Sequence, residues 1–174
     1  MGSEMCIRDS LDTLTGSFIF KEKIGTVNGS VGVLNVGDID GLSYDPTANL
    51  LYASERRGAL GVEDYIFVIS ADSCAVVRDF FGPGEDYRII PLVFDSITMD
   101  MNGDIDDIAL QHGTGRLYMN QNQGGNGGML TYYDFDLDSL IIVAPIGVGD
   151  IEGLGFDPVS YTHLRAHETL RYLV

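Results

Sequence analysis

The sequence predicts an all-β protein in which one small four-stranded antiparallel sheet is built more than once. Three observations predict it: an acidic phrase that recurs three times, a second apolar run at a fixed distance behind it, and turns marked by Gly or Asp between short β-branched and aromatic runs. The phrase reads DIDGLSYDP at 38–46, DIDDIALQH at 104–112 and DIEGLGFDP at 150–158.

The elements follow in order. Asp38 is followed 14 positions later by Tyr52 in LLYAS, and Asp104 is followed 14 positions later by Tyr118 in RLYMN. A Gly-bearing loop comes next, then YIFVISADSCAVV at 65–77 or MLTYYDFDLDSLIIV at 129–143, where Asp72 or Asp136 marks a further turn. One unit therefore reads strand, turn (Asp45-Pro46-Thr47, or His112-Gly113-Thr114-Gly115), strand, Gly loop, strand, Asp-centred turn, strand. In the first strand of each unit, Leu42 and Tyr44, Ile108 and Leu110, and Leu154 and Phe156 fall on one side. Gly41 and Ser43, Asp107 and Ala109, and Gly153 and Gly155 fall on the other, so mostly small residues hold that second side.

From Asp104 to Asp150 is 46 residues, the length of one propeller blade, whereas from Asp38 to Asp104 is 66. The surplus falls in a loop-rich stretch at 81–103. Small residues on the first strand suit the innermost strand of a blade, which runs close to its neighbours. The expected architecture is a β-propeller-like array of four-stranded antiparallel blades, incomplete at about 2–3 blades because a closed ring needs about four or more. The domain is placed at 11–158, between two segments of different composition, 1–10 and 159–174. Both resemble translated sequencing-adaptor read-through, so they are set aside as non-native tails, the second as a short helix carrying His163 and His167.

The phrase DIDGLSYDPTANLLYAS with YIFVISADSCAVV resembles the YVTN or quinoprotein-like propeller repeats of large bacterial secreted or surface proteins, over about residues 20–158. The second copy departs from the pattern, with Asp107 for Gly, Gln111 for Asp and His112 for Pro. The resemblance implies a secreted or cell-surface location and the loss of further blades belonging to a longer parent chain. It also implies a scaffold that presents inter-blade loops to a protein or glycan ligand.

Composition narrows the partners. A net charge of -16, from 26 acidic against 10 basic residues, repels phosphate backbones and anionic lipid, which argues against nucleic acid. The longest apolar run, Leu140 to Val148, is broken by Pro145 and Gly147 and is far below the ~20 residues of a membrane span. With only Cys6 and Cys74, no disulfide framework is expected.

Calcium is the one cofactor these residues suggest. In DMNGDIDD the residues Asp100, Asn102, Asp104 and Asp106 alternate as hard-cation ligands do, although Ile105 stands where a calcium loop carries Gly and Gln111 where it carries Glu. A solvated acidic turn running into a strand accounts for the same residues without a metal. Asp38, Asp40, Asp106, Asp150 and Glu152 recur at equivalent positions and are candidates for a carboxylate ring at one mouth of a central channel. The plainer alternative has them accept hydrogen bonds from turn N–H groups. GGNGG at 124–128 lacks the lysine of a phosphate loop, and His112 has no second histidine near it. No nucleophile or zinc motif gives an enzyme reading an anchor. The leading expectation is thus a non-catalytic module, with a calcium-dependent propeller hydrolase, phytase-like or lactonase-like, as the alternative.

Overall fold

The computed structural model describes residues 24–57, 62–122, 127–147, 151 and 153–156, and the backbones of three short strands at 10–11, 18–19 and 164–166. Its strands are β1 (Ser10–Leu11), β2 (Phe18–Ile19), β3 (Thr26–Gly29), β4 (Gly32–Asn35), β5 (Ile39–Asp45), β6 (Leu50–Glu55), β7 (Tyr65–Ser70) and β8 (Tyr87–Ile89). They continue as β9 (Val93–Asp95), β10 (Asp100–Asn102), β11 (Asp104–Gln111), β12 (Arg116–Asn122), β13 (Gly128–Asp134), β14 (Ser139–Pro145), β15 (Leu154–Phe156) and β16 (Leu164–Ala166). β5-β6-β7-β8 and β11-β12-β13-β14 are four-stranded antiparallel sheets in sequence order, and the other strands pair two by two. The protein is all-β as expected, with no helix among the described residues. The helix expected in 159–174 is corrected where the chain is described: Leu164–Ala166 is a strand, paired with β15.

Turn chemistry explains why the strands reverse where they do. Asp45 Oδ1 accepts the N–H of Thr47 at 2.8 Å, and Asn49 closes that turn with φ 55°. Asp134 Oδ1 accepts the N–H groups of Asp136 and Leu137, and Asp138 closes the turn with φ 48°. A short acceptor before the turn and a left-handed residue at its end restore the strand twist on both sides. The β11–β12 turn has no such acidic residue and instead uses glycine twice, Gly113 at φ 77° and Gly115 at φ 63°.

The stretch 81–103, expected to be loop-rich, contains three strands. The outer strand of the first sheet is split: Val76 bridges Ile69, the chain then leaves the sheet, and β8 returns to pair with the start of β7. The excursion is pinned by Asp86, whose carboxylate accepts the N–H groups of Asn28 and Asp79, both at 2.9 Å, and pairs with Arg78. Burial pushes the Asp86 carboxyl up, but those N–H groups and the guanidinium outweigh it and hold the carboxyl below its ordinary value. β9 and β10 then form a separate hairpin before β11 begins the second sheet.

Two apolar clusters lie on opposite faces of the first sheet. One joins Tyr52, Ile66 and Val68 to Ile108, Leu110, Leu117 and Met119 of the second sheet; the other joins Ala53, Phe67 and Ile69 to Ile24 and Val27 beside the β3–β4 hairpin. Equivalent side chains therefore meet different fates. Ile108 and Leu110 are 1% and 6% exposed against the first sheet, while Leu42 and Tyr44 are 41% and 47% exposed. Ile108→Ala is expected to lower stability by about 2–4 kcal/mol and Leu42→Ala by less than about 1 kcal/mol, read by denaturant unfolding. Equal losses would refute this assignment of faces.

Candidate functional site

The first strands of successive units lie against one another, β11 against β5 on one side and β15 on the other. Their small residues permit it. A Cβ built on Gly41 would sit 2.9 Å from the Ile108 nitrogen, closer than real Cβ atoms come, and a tight 3.0 Å from the Asp107 Cα. Beside it, Ser43 Oγ accepts the N–H of Leu110 at 2.9 Å. Ile105 and Ile151 are buried at the entry to the second and third first strands, and Ile39 is half-buried at the first.

The recurring acidic phrase has a structural cause. The β5–β6 register shifts between Ile39 and Gly41, and the β11–β12 register shifts between Ile105 and Asp107. Asp40 and Asp106 are thus the extra residues of two equivalent β-bulges, which turn their side chains away from the regular pleat. Each faces the residue that ends or follows the second strand. Asp106 Oδ2 accepts from the side-chain amides of Asn120, at 3.1 Å, and Asn122. Asp40 faces Arg56, 4.0 Å away, and Arg56 stands at the position equivalent to Asn122.

Arg56 also reaches across to the second unit. Its Nε and Nη2 donate to the two carboxylate oxygens of Asp104, at 2.9 and 2.7 Å, a paired geometry that orients both groups. Asp64 makes a second link between the units. Its Oδ1 accepts the N–H of Arg57 at 3.0 Å and its Oδ2 accepts the N–H of Ile105 at 2.9 Å.

These links crowd Asp40, Asp64 and Asp104 around one guanidinium. Burial pushes the Asp40 carboxyl up to about 6, Arg56 opposes the rise, and Asp38, Asp104 and Asp64 add to it. Burial likewise pushes Asp64 up to about 6, against the N–H groups of Ile105 and Arg57. Glu55, buried behind them, accepts the N–H groups of Gly37 and Asp38, and burial raises it too.

The candidate calcium ligands occupy extended backbone. Asp100 and Asn102 belong to β10 and Asp104 and Asp106 to β11, on either side of Gly103. Asp100 is exposed opposite Asp95, and Asn102 is buried. A cation would have to compete with Arg56 for Asp104 and with Asn120 and Asn122 for Asp106. Among the described residues no three His, Cys, Asp or Glu side chains are grouped to hold a metal. Of the carboxylates expected at a channel mouth, Asp38, Asp40 and Asp106 lie at one end of the first strands, and Asp150 and Glu152 fall outside the described residues.

A groove of about 460 Å³ runs along the same first strands. Leu42, Ser43 and Tyr44, then Ile108, Ala109 and Leu110, then Leu154, Gly155 and Phe156 line it, with Pro46, Thr47 and His112 at one end. Nine of these residues are three equivalent positions from each of three units. Beside it the Asp107 carboxylate accepts the N–H of Leu154 at 2.6 Å. Burial raises the Asp107 carboxyl, against the opposing pull of the Leu154 N–H.

The sequence does not single out Asp64, Asn120 or Asn122, and it reads Ser54-Glu55-Arg56-Arg57 as a solvated loop after a strand end with an ion pair, of which Arg56 does make one, to Asp104. Ser54 and Glu55 are instead buried at the end of β6. The signal was present: Ser54-Glu55-Arg56 and Asn120-Gln121-Asn122 stand at equivalent positions, two polar triplets where an apolar strand closes. The sequence matches no protein-family model and no curated protein.

Proposed function

We propose that this chain is a non-catalytic, β-propeller-like repeat module of a secreted or cell-surface protein, serving as a binding platform for a protein or glycan. The observation that carries this reading is the groove built from equivalent positions of three first strands, with both apolar walls and polar edges. A site repeated along an array suits an extended or repetitive ligand, because each unit offers the next stretch the same chemistry. The test is binding of the full chain to glycan and peptide arrays, compared with Gly155→Trp. Gly155 lines the groove, and among the described residues no atom lies within 4 Å of its Cβ position, so the indole is directed into the groove. Binding lost in the variant supports the platform; binding unchanged by it refutes the groove as the site.

Calcium stabilisation belongs to the same proposal and has its own measurement. The melting temperature of the full chain is expected to rise in millimolar calcium, with the rise reduced by Asp100→Asn; an unchanged melting temperature removes calcium from the proposal.

One observation favours the hydrolase reading: Asp40 and Asp64 titrate near 6 beside Arg56, in the range that suits acid–base work near neutral pH. It predicts calcium-dependent hydrolysis of a phosphate ester or lactone that disappears in Asp40→Asn. Hydrolysis at the uncatalysed rate would remove it.

A further inference from the structure

We infer that a second pocket, between the excursion of the first sheet and the β13–β14 turn of the second, binds a neutral pyranose ring. Phe80, Phe81, Arg88, Tyr133, Phe135 and Asp138 line it around a volume of about 400 Å³, a size suited to a small molecule. It shares no residue with the groove of the first strands, so the inference neither rests on the platform reading nor falls with it. Its walls are aromatic. Phe81 and Phe135 stack with ring centres 6.2 Å apart, Phe80 meets them edge-on at 5.1 and 6.0 Å, and Tyr133 meets Phe135 edge-on at 5.2 Å. Tyr133 is buried and Phe80 ties the group to the core through Tyr52, yet the three phenylalanines are only half-buried. Aromatic surface left at a pocket wall takes the C–H face of a sugar, because those hydrogens carry partial positive charge and meet the negative face of the ring.

The polar side of the pocket decides the charge of its ligand. Arg88 donates to the Tyr133 hydroxyl at 3.2 Å, to Glu85 at 2.6 Å and to Asp138 at 3.0 Å, and its guanidinium lies 5.4 Å from the Phe81 ring centre. Two carboxylates therefore answer one guanidinium, in a chain of net charge -16, and an anionic ligand gains no attraction. A cationic ligand fares no better, since Arg88 already holds the place of a cation beside Phe81 and would repel a second. A neutral ring with an apolar face and hydroxyls at its edge meets neither obstacle. Its hydroxyls donate to Asp138, whose side chain is 61% exposed. The bonds of Arg88 fix these groups before a ligand arrives, so little ordering is left for binding to impose.

The experiment titrates the full chain with the methyl glycosides of glucose, galactose and mannose and follows the Phe81, Tyr133 and Phe135 ring signals by NMR. At least one glycoside is expected to shift them together, with half-saturation in the millimolar range. Phe81→Leu keeps the apolar volume and removes the ring face, and is expected to weaken that half-saturation roughly tenfold. Gly155→Trp, in the other groove, is expected to leave it unchanged, so failure of one site is read apart from failure of the other. Should Phe81→Leu not fold, Asp138→Asn decides by the same readout, because asparagine tolerates the φ of 48° found there. Ring signals that no glycoside moves overturn the inference, as does unchanged half-saturation in the folded variant. Tetramethylammonium or benzoate moving those signals at lower concentration than every glycoside overturns it as well.

Discussion

Gly41→Val is expected to lower the stability of the chain by about 3 kcal/mol or more, enough to leave a marginally stable domain largely unfolded. The glycine is held against the second unit by backbone, and backbone does not rotate away as a side chain does. Even a methyl group would approach the Ile108 nitrogen to 2.9 Å, and Ser54 Oγ to 2.7 Å on the other side. Relief requires β5 and β11 to separate, which would stretch the Leu110 N–H to Ser43 hydrogen bond and loosen Ile108 and Leu110 from the first sheet. The control is Gly155→Ala, at a groove position where no atom of the described residues lies near its Cβ direction, expected to change stability by less than about 1 kcal/mol. Urea unfolding of both variants reads the difference. Similar midpoints for the two would mean that the first strands are not as close as 2.9 Å implies.

The four-stranded antiparallel sheets were legible in the sequence because their turns rest on local signals. Asp45, Asp134 and the paired glycines of 113 and 115 close turns within a few residues, and the alternation in β5 and β11 sets which side chains face a neighbour. The small side of the first strand was legible for the same reason, since a two-residue period needs no knowledge of the partner. What could not be read was where each acidic side chain spends its charge. Asp106 is satisfied from 14 and 16 residues away, Asp104 from 48 and Asp64 from 41. Those distances are set by the β-bulges and by the packing of one unit on the next, neither of which has a spacing rule of its own. The alternation Asp100, Asn102, Asp104, Asp106 suggested a loop closing on a cation, whereas Gly103 lies between two strands and Asp104 faces a guanidinium. The split outer strand was also hidden, because Val76 and Tyr87 share one edge of β7 only once the excursion tied down by Asp86 is folded.

Asp64 joins the two units by hydrogen bonds alone, and its removal is the second large effect expected. Asp64→Ala leaves the Ile105 N–H buried without an acceptor and the Arg57 N–H partly so, a loss of about 2–4 kcal/mol in denaturant unfolding. Asp64→Asn is expected to lose less, because its one carbonyl oxygen still serves one donor. The same residue shapes the pH dependence. Its carboxyl and that of Asp40 are raised to about 6 from an ordinary 3.8, so the folded chain binds these protons more tightly than the unfolded chain. The stabilisation from holding them is full below about pH 4 and is lost as pH rises through about 6, the reverse of Asp86, whose lowered carboxyl stabilises the fold at neutral pH and ceases to as acid protonates it. Asp64 alone is expected to account for about 3 kcal/mol across that window, and the partly exposed Asp40 for less. Repulsion among the remaining carboxylates of a chain with net charge -16 weakens the fold over the same range, so the slope of the unsubstituted protein alone decides nothing. The double variant Asp40→Asn, Asp64→Asn removes both titrations and keeps most of that background. Its stability is expected to fall less between pH 4 and 6 than that of the unsubstituted protein, and equal slopes would show that neither carboxyl holds its proton in the folded chain.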